Sequence, residues 1–166
     1  MKSLRTVLYS ILLVIAPAVR AELPVKRVIT LNVAKKIAAA AEAEANRRHL
    51  TAVIVVVDDS GYPLVLQRLD NTQVASVEVG IGKARTAAIF RRPSKDFEDQ
   101  IKEGRVAALA LPGATPLQGG VPIILDGKVI GAIGVSGESP KDDEDVAKAG
   151  AAAAAAAIAA EGASRE

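Results

Sequence analysis

Two segments limit the possible folds of this chain more than any others: TAVIVVVDDSGYPLVLQRLD at 51–70 and GGVPIILDGKVIGAIGVSG at 119–137. Each holds two apolar runs too short for helices, joined by residues that favour a tight reversal. Asp59-Ser60-Gly61 turns the first. Asp126-Gly127 turns the second and suits a type I′ turn, whose two central residues both need positive φ. A hairpin joins antiparallel neighbours, whereas parallel strands need a long crossover. The expected fold is therefore α/β in the α+β sense, an antiparallel sheet flanked by helices.

Helical signals occupy the rest. Thr30 is placed to cap a helix reaching about Arg48, in which Leu31, Ala34, Ile37, Ala38 and Ala41 recur at helical spacing. Asn71 or Thr72 is expected to cap a second helix, striped by Val74, Val77, Ile81, Ala84 and Ala88. That helix should end at Arg91-Arg92-Pro93, because a residue before proline resists helical geometry. Ser94 opens a third, SKDFEDQIKEGRVAAL. LPGATPLQGG, with two prolines and three glycines, reads as irregular. Ser139 caps the last helix, Pro140 fits its first position, and Asp142, Asp143, Glu144 and Asp145 lie near its positive end. The alanine-rich tract at 149–160 continues it. The order is helix, hairpin, two helices, hairpin, helix.

Residues 1–21, MKSLRTVLYSILLVIAPAVRA, join a positive head to an apolar run and a small-residue cleavage motif. They read as a cleaved secretory signal, leaving 22–166 as one domain in the periplasm or outside the cell, with no stable membrane anchor. Cleavage removes three of the 21 basic residues and none of the 19 acidic ones, so the formal charge falls from +2 to −1. A nucleic-acid partner then lacks the cations that would displace counterions. No cysteine is present, so an exported fold relies on its core and assembly rather than on disulfides.

LQRLDNTQVASVEVGIGKARTAA, RRPSKDF and PGATPLQGGVPIILDGKVIGAIGVSG, followed by an acidic start to an alanine-rich helix, resemble the GlcG/HbpS-type haem-binding family. The C-terminal domain of PduO-type proteins belongs to the same group. The likeness spans about Thr30 to Ala160. It implies a profilin-like fold, an antiparallel sheet of about five strands with helices on both faces. It further implies homo-oligomers and, in several members, haem or a corrinoid-related ligand.

Under that resemblance Lys83 and Thr86, in GIGKART, match a recurring lysine and threonine, and Lys83 could pair with a ligand carboxylate such as a haem propionate. The same segment is a poor phosphate loop, since the first glycine of that motif is missing. Arg92 could hold a carboxylate bidentately or satisfy helix-end carbonyls. Thr115, Gly119 and Gly120 lie in the irregular loop, where a backbone without side chains would admit a flat ligand. Gly131, Gly134 and Gly137, alternating between strand faces, read as packing positions instead. Arg68 and Asp70 could pair with each other or with Lys83.

His49 is the single histidine, and Met1 is the single methionine. After cleavage a Cys thiolate, a His/Met pair or two histidines from one subunit are all unavailable as axial haem ligands. An iron would fall to His49, to Tyr62, to an oxygen such as Thr115, or to residues of two subunits. Three functions follow as expectations: an exported haem sensor, carrier or scavenger; an enzyme of small oxo- or hydroxy-acid catabolism using Lys83 or Asp70 for proton transfer; or a structural oligomeric module.

Overall fold

A computed structural model describes residues 23–163. The signal segment read at 1–21 lies outside the described residues. The elements in chain order are α1 (Leu31–Arg47), β1 (Val53–Asp58), β2 (Pro63–Arg68), α2 (Ser76–Ile89), α3 (Lys95–Lys102), a 3-10 turn (Val106–Ala110), β3 (Gly120–Leu125), β4 (Lys128–Ser136), α4 (Pro140–Ala152) and α5 (Ala154–Gly162).

The two hairpins join through their inner strands into one antiparallel sheet of order β2-β1-β4-β3. The described residues thus hold four strands, not about five, because only the two hairpins supply them. β1 is buried on both faces. Ile54 and Val56 face α1 and α4 together with Ile133 and Val135, whereas Val53, Val55 and Val57 face α2 with Ala132. Helices therefore cover both faces. The α1 side carries bulky aliphatics, and the α2 side is packed mainly through Ala84, Ala87 and Ala88. That helix comes close because Gly134 has no side chain: a β-carbon there would lie 2.4 Å from the Gly80 carbonyl oxygen and 2.5 Å from the Ala84 nitrogen. No described helix is long and apolar enough to cross a membrane.

Local signals hold at several ends. The Thr30 hydroxyl accepts from the Val33 amide and that of Ser139 from Asp142. Asp126 and Gly127 adopt φ of 49° and 73°, as a type I′ turn demands. Three boundaries differ from expectation. Neither Asn71 nor Thr72 caps α2: Asn71 is left-handed at φ 63°, the Thr72 hydroxyl donates to the Ala52 carbonyl, and α2 starts only at Ser76. The third helix stops at Lys102, where Gly104 turns left-handed at φ 99° and splits off the 3-10 turn. The alanine tract breaks at Ala153 into α4 and α5.

Candidate functional site

α2 places Lys83 on its sheet-facing side, 4% exposed. An ammonium so buried needs a counter-charge. Its Nζ donates to Asp143 Oδ2 at 2.6 Å and to the Val135 carbonyl at 3.0 Å. Asp143 belongs to the first turn of α4, which Ser139 caps. Burial pushes the Asp143 carboxyl above the ordinary carboxylate range, and the Lys83 hydrogen bond opposes that shift. Lys83, Asp143 and Val135 thereby tie α2, α4 and β4 together. The carboxylate that Lys83 meets in this structure is that of Asp143 in the same chain.

One turn further, fully buried Thr86 donates from Oγ1 to the Gly82 carbonyl at 2.7 Å and accepts from the Thr115 amide at 2.7 Å. Gly82 makes room for this: a β-carbon there would come within 2.2 Å of Thr115 Oγ1. The loop continues against Ser94, whose hydroxyl donates to the Leu117 carbonyl at 2.5 Å and accepts from the Gly120 amide at 2.8 Å. Gln118 donates its amide to Glu98 and its side-chain nitrogen to Glu144. Gly119 sits at φ 125°, and its carbonyl accepts from the Val135 amide at 2.9 Å.

The glycines of this loop are filled from within. A β-carbon at Gly119 would lie 3.0 Å from Lys83 Nζ, and one at Gly120 would lie 2.2 Å from the Lys83 carbonyl oxygen. Both positions are buried, so the space read as an approach for a flat ligand belongs to α2. Lys83, Thr86, Thr115, Gly119 and Gly120 do converge, but as a junction that locks the loop on the helix.

The outer side of this junction is open. Ile89 and Leu117 are exposed, and Ile89 Cδ1 lies against Gly113. Arg92 is exposed and makes no ion pair among the described residues; its guanidinium lies 5.1 Å from the Phe97 ring centre. Stacking on an aromatic ring, rather than holding helix-end carbonyls, is its role in this structure.

The other candidates stand apart. His49 follows α1 in a left-handed conformation at φ 58°, exposed, with no side-chain partner among the described residues. No described cluster of three His, Cys, Asp or Glu side chains could hold a metal ion. Tyr62 is exposed at the first hairpin tip under Arg85. Arg68 and Asp70 pair neither with each other nor with Lys83; they border a shallow depression of about 370 Å³ with Glu42, Gln67 and Leu69.

Sequence reasoning missed Asp143 and Ser94 as members of the junction. The sequence places Asp143 only near a helix dipole and Ser94 only at a helix start. The one usable signal was Lys83 itself, a cation that has to find an acid once the fold buries it.

Residues 29–152 match the family model described as haem degrading protein HbpS-like. Protein GlcG of Escherichia coli is 40% identical over 111 residues, covering 67% of this chain and 83% of GlcG. The crystal structure of a Streptomyces reticuli HbpS double mutant superposes with a TM-score of 0.73 at 32% identity, over 80% of this chain and 90% of that one. A PduOC–heme complex shares the fold at 24% identity and a TM-score of 0.70, over 76% of this chain and 95% of that one.

Proposed function

This chain belongs to the HbpS-like family of haem-degrading proteins, and on that premise we propose that it is an exported protein that binds haem or a related tetrapyrrole. The observation that carries the reading is the outer face of the α2–loop junction. Ile89 and Leu117 are apolar and exposed there, beside Arg92, a cation with no ion pair among the described residues. A macrocycle with carboxylate arms needs both features, an apolar plane and a cation at its edge. The buried junction beneath would hold that face rigid, with Thr86 and Thr115 fixing the loop and Lys83 fixing α2.

The iron ligand would be His49, Tyr62 or an oxygen such as Thr115, and a ligand at His49 makes a different geometry from one at the loop. α2 begins over Val53 and Val55 and ends near Gly61, and its 14 residues span about 21 Å at 1.5 Å per residue. His49 lies before β1, near the first end, and Arg92 follows the second. A haem on His49 is thus out of reach of Arg92 in the same chain, and the two residues would share one haem only across subunits. The homo-oligomer read from the sequence becomes part of the proposal on that branch.

Hemin titration of the purified protein tests the reading. A saturable Soret shift at micromolar protein is expected, weakened about tenfold or more by Arg92→Glu. Loss of the shift in His49→Ala assigns the axial ligand to that residue; its survival assigns it to oxygen. No Soret shift from folded protein would overturn the proposal. Bleaching of the bound pigment by peroxide would separate degradation from carriage. N-terminal sequencing of exported protein tests cleavage after Ala21. A small-acid enzyme would need Lys83 or Asp70 to move a proton, whereas Lys83 is held by Asp143 and Asp70 is exposed with no ion pair among the described residues.

A further inference from the structure

Residues 24–30 form an extended strap across the ends of both hairpins. Lys26 pairs with Asp59 at the first tip at 2.6 Å, and Arg27 pairs with Asp126 at the second at 2.8 Å. Ile29 then enters the core on the α1 side, its Cδ1 2.6 Å from where a Gly131 β-carbon would stand. The strap is thus held at three points, two ionic and one apolar.

Beneath it lie two chambers, of about 380 Å³ and about 280 Å³, that share Arg27, Leu125 and Ile130 as a common wall. Val25 and Val129 line the first, and Val28, Val33 and Ile158 the second, which Thr30 and Glu161, hydrogen-bonded to each other, also border. Lys26, Arg27 and Lys128 border the first chamber, against the acids Asp59 and Asp126. Two of those cations are already paired. Lys128 has no acidic partner among the described residues, so the mouth carries one uncompensated positive charge.

We propose that this trough binds an unbranched acyl carboxylate, with the headgroup at Lys128 and the chain running past Leu125 and Ile130 into the second chamber. An amphiphile needs an apolar path with a charge at its mouth; Val129, Leu125, Ile130, Val33 and Ile158 supply the path, and Thr30 holds the Glu161 carboxylate that borders its far part. Two small chambers separated by shared side chains fit a flexible chain and not a rigid plate. The cation left over at the mouth selects a carboxylate over an ammonium. The site lies on the α1 side of the sheet, away from the Arg92 face, so it is independent of the haem reading.

Calorimetric titration of the purified protein with dodecanoate, below its micelle concentration, is the test. Saturable binding at one site is expected, weakening by roughly fourfold for each methylene removed from the probe. Lys128→Glu should weaken it about tenfold or more, and Val129→Trp, which fills the first chamber, should abolish it. Dodecyltrimethylammonium should not bind. Circular dichroism confirms that both variants fold, and an unchanged hemin titration shows the Arg92 face intact. Equal affinity for the cationic amphiphile, or dodecanoate binding indifferent to both substitutions, overturns the proposal. Displacement of dodecanoate by hemin overturns it too, since the trough would then be a tetrapyrrole site. Failure with dodecanoate alone sinks this inference only, whereas failure with hemin alone sinks only the haem proposal.

Discussion

A lysine left 4% exposed and hydrogen-bonded to a carboxylate at 2.6 Å is tolerable only as a pair. Removing one partner strands the other charge in the interior, which typically costs about 3–5 kcal/mol. Lys83→Ala should therefore lower the urea midpoint sharply. Lys83→Met combined with Asp143→Leu should recover most of the loss, because an apolar pair of similar volume avoids the desolvation penalty. A double variant no more stable than the single one would show that the contact is not structural. A second acid-sensitive carboxylate is Glu44. Hydrogen bonds from Arg47 and Arg48 hold Glu44 at about 2, below its ordinary 4.5, so its contribution is present above 4.5 and lost as pH falls through about 2. Thermal melts of Glu44→Gln and the parent protein should accordingly converge as pH falls from about 4.5 towards 2.

At the scale of elements, the approach of α2 to the sheet depends on absent side chains. Gly134→Ala would place a β-carbon 2.4 Å from the Gly80 carbonyl and 2.5 Å from the Ala84 nitrogen, both backbone atoms that move only if α2 lifts. A loss of about 1–3 kcal/mol or more is expected. Gly127→Ala meets nothing within 4 Å but forces alanine to φ 73°, a backbone cost of about 1 kcal/mol. Comparing the two melting temperatures separates packing from conformation. Element ends were legible where a cap acts on its own neighbours, as at Thr30 and Ser139. The start at Ser94 was legible too, although its hydroxyl serves Leu117 and Gly120 instead of the helix; the start of α2 was illegible, because the Thr72 hydroxyl serves Ala52.

Across the whole molecule, burial is graded from the centre of the sheet outward. β1 is covered on both faces and paired on both sides, whereas β2 and β3 are edges, each carrying a proline, Pro63 and Pro122. Prolines at both edges oppose extension of the sheet by another chain, so any assembly would go through faces. Exposed Leu66, Val74, Val106 and Leu109 are the apolar candidates for that contact. Amide exchange should be slowest at Ile54, Val55, Val56 and Ile133 and faster along β2. Equal protection in β1 and β2 would contradict the gradient.

The sequence alone determined the two hairpins, the order of elements, the caps at Thr30 and Ser139, and the family likeness. Turn chemistry, capping and periodicity act over a few neighbouring residues, so one chain displays them. Only the tertiary structure decided that Lys83 meets Asp143, that Ser94 and Thr86 pin the loop at 115–120, and that the strap crosses both hairpin tips. Those contacts join residues far apart in the chain, and nothing in the local pattern of either partner specifies the other. Close packing selects the partner by shape and charge once the sheet and its helices have come together.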